Sequence, residues 1–157
     1  MEDAVLIEDI SIRRYEQRDN DDIWLLHRAA LGDMYQSGAW EDDLKDIQKN
    51  YIDNNGEFLV VELDAKIIAM GAFRKINSER AEIKRMRVDP QFWRRGIGQF
   101  ILSKLELLAK EKGYRMLQLD TTIIQEAAQK LYTKNMYKEF KRDKVGPFNC
   151  IFYEKKI

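Results

Sequence analysis

Apolar positions along this chain follow two rhythms, and the change of rhythm marks the elements. Ile23, Leu26 and Ala30 recur at helical spacing after Asn20 or Asp21, either of which can cap a helix start. Leu44, Ile47 and Tyr51 stand at i, i+3 and i+7, which predicts a second helix over Trp40 to Tyr51 with acidic outer faces. Glu57 to Leu63 and Lys66 to Phe73 are β-rich runs joined by Asp64–Ala65, the pattern of a hairpin. Ser11 to Tyr15, following the apolar Val5–Leu6–Ile7, predicts a first strand. Ala81 to Val88 is strand-like but irregular, because Ile83 and Met86 are three apart where alternation needs two or four; a β-bulge reconciles them.

Between Gly98 and Gly113 the residues Ile101, Leu102, Leu105, Leu108 and Ala109 make a helical apolar stripe, and Gly113 suits a left-handed cap. Arg115 to Thr121 sets Leu117 and Leu119 against Met116 and Gln118, a strand close enough behind that helix to form a parallel βαβ unit with 81–88. A helix from about Gln125 to Asn135 and two strands near 137–144 and 148–155 close the chain. No repeat, low-complexity tract or linker interrupts it, which predicts one α/β domain over residues 1–157.

Composition narrows the chemistry. With 157 residues, 45% of them hydrophobic, the chain can bury a real core. It has no apolar run of membrane-spanning length, and its first ten residues carry acids where a secretory signal carries positive charge; the expectation is a cytoplasmic protein with no membrane partner. One cysteine, Cys150, and one histidine, His27, exclude an internal disulfide and a cysteine-built zinc site, and leave little for any metal centre or histidine triad. The net charge of zero conceals a split: residues 1–64 hold 6 Lys+Arg against 17 Asp+Glu, and the remainder is correspondingly basic. Either both halves are solvated faces of one fold or the split is a functional dipole.

The informative segment is Val88-Asp-Pro-Gln-Phe-Trp-Arg-Arg-Gly-Ile-Gly-Gln99, a strand end, a turn, then Gly96-x-Gly98 opening a long helix. Free N–H groups and a partial positive charge at the helix start, glycines without Cβ atoms, and Arg94 and Arg95 together describe an anion site. A dinucleotide fingerprint is incomplete, with Ile101 in its third glycine position, and no Gly-Lys-Ser/Thr completes a Walker loop.

These residues resemble the pyrophosphate loop of the GNAT superfamily of N-acetyltransferases, Gln/Arg-x-x-Gly-x-Gly/Ala, here Trp93-Arg94-Arg95-Gly96-Ile97-Gly98 with Trp93 in place of Gln or Arg. Gln125 to Tyr137 resembles that family's Asn-x-x-Ala-x-x-Leu-Tyr-x-x-x-Gly-Phe stretch, with Gln125 for Asn, Met136 for Gly and Tyr137 for Phe. The likeness spans about residues 57–140 and fades over 1–56. It implies a mixed, strongly bent sheet of six or seven strands with about four helices, splayed between 81–88 and 115–121 to admit acetyl-CoA as co-substrate. Residues 57–140 would be the coenzyme-binding core, 1–56 the acceptor side and 141–157 the closing strands. Arg87 and Val88 would pair with the pantetheine arm through their main chain, and the bulge would aim an N–H at the thioester carbonyl. Trp93 to Gln99, Gln125 and Ala128 would complete the coenzyme site.

Acetyl transfer to an amine needs a base, an oxyanion donor and a proton for the leaving thiolate. The resemblance implies Tyr132 as that acid, in preference to an aromatic simply packed with Leu131. It implies Glu82 as base, against a surface residue paired with Lys84 or Arg80; Asp120 is a reserve base. His27 is either an acceptor-site residue or an ordinary packed one, and Cys150 reads as a small buried hydrophobe. Met34 to Trp40 would overhang the acceptor, or serve as a connector. The acceptor would be a small-molecule or peptide amine, and the acids Glu41, Asp42, Asp43 and Asp46 suggest a cationic one unless they only favour a helix start. No nucleic-acid partner is expected, because the acidic first 64 residues would repel a phosphate backbone. A homodimer is left open. The alternative class is a catalytically inactive acyl-CoA-binding sensor or partner module.

Overall fold

The computed structural model of the protein describes residues 9–157. Its elements in order are β1 (Ser11–Arg14), α1 (Asn20–Leu31), β2 (Glu57–Leu63), β3 (Lys66–Lys75), β4 (Arg80–Val88), α2 (Ile97–Glu111), β5 (Met116–Thr122), α3 (Glu126–Lys134), β6 (Lys138–Val145) and β7 (Phe148–Lys156). The strands form one open mixed sheet in the order β1-β2-β3-β4-β5-β7-β6. Among the described residues the only parallel pair is β4 with β5, which makes α2 the crossover of the expected βαβ unit. Val5–Ile7, expected to lead into the first strand, lies outside the described residues.

Helices cover both faces of the sheet, and this explains why β2 and β3 read as near-continuous apolar runs. Leu59, Val61 and Ile68 face a core shared with Ile101, Leu102 and Leu105 of α2 and Tyr132 of α3. Phe58, Val60 and Met70 face the opposite way, into a second core with Ile23 and Leu26 of α1 and with Leu44, Ile47 and Tyr51. The β2–β3 turn is tight, with Asp64 and Ala65 both left-handed at φ 51° and 65°.

One expected element is broken. The stretch Trp40 to Tyr51 is a 3₁₀ segment, Ala39–Lys45, followed by a π turn, Gln48–Ile52. Asp46 separates them at φ −148°, ψ 79°, and its carboxylate accepts from the Lys49 N–H at 3.1 Å. An aspartate that bonds a nearby main-chain N–H competes with helix propagation, yet Leu44, Ile47 and Tyr51 still reach the core.

The bulge inferred from Ile83 and Met86 is present. Met70 pairs with Arg87 and Ala72 with Lys84, so Arg85 and Met86 together oppose the single residue Gly71. Arg85 takes φ 60°, unusual for a bulky side chain. It is held there from the α1 side of the sheet: its Nε donates to Asp43 Oδ2 at 3.0 Å, a terminal nitrogen donates to Asp43 Oδ1, and the same nitrogen donates to the Trp40 carbonyl at 2.6 Å. The Tyr51 hydroxyl closes the cluster with a short hydrogen bond to Asp43. Burial pushes the Asp43 carboxyl up, but Arg85 and the Tyr51 hydroxyl hold it below its ordinary value.

Gly71 lets α2 lie against the bulge. A Cβ there would meet Ile101 Cγ2 at 2.6 Å, Met86 Sδ at 2.7 Å and Leu105 Cδ1 at 3.1 Å. Gly71→Ala should therefore lower stability by about 1–3 kcal/mol through overpacking. Urea denaturation measures this, and an unchanged midpoint would show that α2 does not press on the bulge.

Candidate active site

β4 and β5 stay paired only through Arg80↔Met116, Ala81↔Leu117 and Glu82↔Gln118. Beyond Glu82 the bulge turns β4 away while β5 continues along β7, and the strands part into a fork. Ile83, Arg87, Asp120, Thr121 and Tyr132 line the cleft between them. Met34 and Trp40 roof it from the α1 side, where the sequence placed an overhanging loop.

The α2 start follows the end of β4. Asp89 Oδ1 accepts from the Gln91 N–H, fixing the turn through Pro90–Phe92, and Arg94 and Gly96 follow in left-handed backbone at φ 64° and 80°. The first bond into the helix runs from the Phe100 N–H to the Gly96 carbonyl, so the Ile97, Gly98 and Gln99 N–H groups point out of the helix end. A Cβ on Gly96 would meet nothing within 4 Å, and one on Gly98 would meet only Leu131 Cδ2 at 3.5 Å, so space stands open before these amides. Such a start suits a phosphate.

Several residues assigned to this loop have other partners. Trp93 donates its indole N–H to the Val88 carbonyl at 2.7 Å, strapping the turn to the end of β4. Gln99 forms a reciprocal amide pair with Asn135, joining α2 to the end of α3. Gln125 accepts from the Thr121 and Thr122 hydroxyls and the Thr122 N–H, so its carbonyl oxygen is committed to the end of β5. Arg95 lies over the Phe92 ring. Gln125 and Ala128 both line the cleft.

Tyr132 is 5% exposed, and its hydroxyl has no hydrogen-bond partner among the described residues. Burial pushes that hydroxyl up to about 12, with Arg87 pulling weakly the other way, so it keeps its proton at neutral pH. Asp120 faces the same cleft; burial raises its carboxyl although Lys84 draws it down. Glu82 does not line the cleft. It sits where β4 and β5 are still paired, accepts from Arg74 Nε at 3.1 Å and lies 3.8 Å from Lys84 Nζ. The expected base is thus held by β3, and its reserve stands in the fork. Strand alternation alone could not reveal this, since Glu82 and Asp120 share a sheet face and differ in distance from the divergence.

The four acids expected to gather a cationic acceptor are elsewhere. Glu41 and Asp43 are 4% and 9% exposed and turned inward, Asp42 pairs with Lys45, and Asp46 caps Lys49. None lines the cleft. These four acids therefore do not form the cleft wall.

His27, which the sequence left between acceptor and packing roles, is fully buried. Its Nδ1 accepts from Arg87 Nε at 3.4 Å, which fixes the neutral tautomer in which Nε2–H donates to Glu41 Oε2 at 3.0 Å. Tyr35 donates to the other Glu41 oxygen at 2.9 Å. Burial, then Arg87 and Arg85, push the imidazole down to about 4. Between pH 6.5 and 4 the unfolded chain binds a proton that the folded one refuses, so folding stability should fall by a few kcal/mol on acidification across that window. Asp120, raised in the fold, acts in the opposite sense over part of it. The difference between the parent and His27→Gln in urea midpoints from pH 7 to 4 isolates the imidazole. Parallel curves would show that His27 is not held neutral.

The Acetyltransferase (GNAT) family model matches residues 20–136. Human N-acetyltransferase 8 is 29% identical over 103 residues, covering 62% of this chain and 45% of that protein. Human N-acetylaspartate synthetase is 32% identical over 100 residues, covering 62% of this chain and 33% of that one. The chain thus spans less than half the length of these curated relatives. Among solved structures, an acetyltransferase from Streptococcus agalactiae superposes with a TM-score of 0.87 at 18% identity, covering 96% of this chain and all of that one. The PaiA N-acetyltransferase from Thermoplasma acidophilum, in complex with coenzyme A, gives 0.72 at 21% identity over 94% of this chain and 99% of its own. At such identities the structures speak for the fold, and it is the family match over three-quarters of the sequence, together with the forked sheet, that makes this chain a member of the GNAT acetyltransferase family.

Proposed function

We propose that the protein moves the acetyl group of acetyl-CoA directly to the amine of a small acceptor, with both bound at once. One observation carries this reading: the cleft that opens where β4 and β5 part takes in a protonated Tyr132 hydroxyl with no hydrogen-bond partner among the described residues, and the helix start at Gly96–Gly98 that follows β4 stands open. Acetyl-CoA, when bound, supplies a thioester activated toward amines. The coenzyme A complex of a structural neighbour and the two curated relatives named for N-acetylated chemistry support that assignment.

The chain's own groups suit the remaining tasks. The α2 start would hold the pyrophosphate on its main-chain N–H groups, with Arg94 and Arg95 nearby. The edge of β4 beyond Glu82, freed from β5, can pair with an extended arm and present an N–H to the developing oxyanion. Asp120 would take the proton from the attacking amine as the C–N bond forms; its burial moves it toward the basicity a base at neutral pH requires. Tyr132 would give its proton to the thiolate as the C–S bond breaks.

Thiol release from acetyl-CoA, measured with a panel of amines, tests the reading; coenzyme binding without amine-dependent release would leave a binding module instead. Tyr132→Phe should lower turnover by about 10² while retaining coenzyme affinity, because the ring stays and only the donor is lost. Asp120→Asn should lower it similarly, whereas Glu82→Gln should stay within a few-fold; the reverse order would return the base to Glu82. Gly98→Val should weaken coenzyme A binding by about tenfold or more in calorimetry, since the fold has room for a Cβ there and the phosphate does not. Unchanged affinity would place the pyrophosphate elsewhere.

A further inference from the structure

The charged residues on the α1 side of the fork are unevenly matched. Arg85 is neutralised by Asp43, and Lys84 has Glu82 at 3.8 Å. Arg87 has no carboxylate partner among the described residues. Its Nε donates to neutral His27 at 3.4 Å and a terminal nitrogen donates to the Met86 carbonyl at 3.0 Å; neither contact cancels its charge. Burial and the neighbouring Arg85 draw the guanidinium down to about 10, the mark of a cation that lacks a counter-ion. Arg87 is half-buried, and a cation held there without a counter-ion is costly and is retained where a ligand supplies the missing partner. The side chain reaches toward His27 on the α1 face, away from the helix start on the α2 face, so a coenzyme phosphate there does not provide it. Its orientation is fixed through His27, itself tied to Glu41, and a fixed guanidinium fork matches a carboxylate.

Building on the acetyl-transfer reading, we propose that the acceptor is an amine that also bears a carboxylate, such as a free amino acid or an amino-acid conjugate. Arg87 binds the carboxylate, and Asp120, which lines the same cleft, receives the amine. The pairing of one unmatched cation with one acid in one cleft suits a molecule carrying both groups a few bonds apart, and it disfavours a polyamine, whose charges would all meet Arg87 and Lys84.

The test compares kcat/KM for a panel of common amino acids with that for their carboxamides, and with spermidine, under saturating acetyl-CoA, with coenzyme A binding measured separately by calorimetry. At least one amino acid should exceed its carboxamide tenfold or more. In Arg87→Met that ratio should collapse toward one, mainly through KM, while Arg87→Lys should keep part of it. Because fold damage lowers both substrates together, the ratio reads Arg87 alone, and a ratio unchanged in Arg87→Met would overturn the inference. Equal use of the carboxamides, preference for spermidine, or no acetylation of the panel although coenzyme A binds would each overturn the inference and leave the acetyl-transfer reading standing on its own tests. Absence of coenzyme A binding would overturn both.

Discussion

The structure depends on a single dislocation in one strand. Two residues of β4, Arg85 and Met86, stand against one residue of β3, just past Glu82, the last residue of β4 that pairs with β5. A bulge at this place leaves main-chain groups unpaired and puts a bulky residue in left-handed backbone, both unfavourable by themselves. The surroundings determine it from both faces. On one, Gly71 allows α2 to close over Met86; on the other, the Arg85 guanidinium is clamped by Asp43, the Trp40 carbonyl and, through Asp43, Tyr51. Removing one partner of so buried an ion pair would leave the other charge uncompensated, so the clamp enforces geometry whatever its net stabilising worth.

This coupling gives the acidic N-terminal segment its use. Asp43 and Glu41 reach into the molecule, one to lock the bulge and the other to hold His27, which in turn orients Arg87. The segment that looked like an electrostatic lure for substrate is the brace behind the cleft wall. The wall itself carries Lys84, Arg85 and Arg87 against Asp120.

What the sequence disclosed follows the range of the interactions involved. The irregular spacing of Ile83 and Met86 betrayed the bulge because each must face the α2 core, a constraint carried by adjacent residues. The Gly96–Gly98 helix start and the parallel βαβ pairing were legible for the same reason. The broken segment at Asp46 was not, since Leu44, Ile47 and Tyr51 keep a helical spacing that a 3₁₀ segment and a π turn also satisfy. The sequence ranked Glu82 ahead of Asp120, and it could not show that Glu82 stands where the strands are still paired while Asp120 lines the cleft. The inward paths of Glu41, Asp43 and His27 were invisible, for they depend on partners as far as 60 residues away in the chain.

A crystal structure of the coenzyme A complex reaches the centre of the proposed chemistry most directly. With the bulge opening the sheet for the coenzyme, its pantetheine arm should lie between β4 and β5, its pyrophosphate on the Ile97 to Gln99 amides, and its thiol within hydrogen-bond reach of the Tyr132 hydroxyl. A thiol directed away from Tyr132, or a coenzyme bound outside the fork, would contradict it.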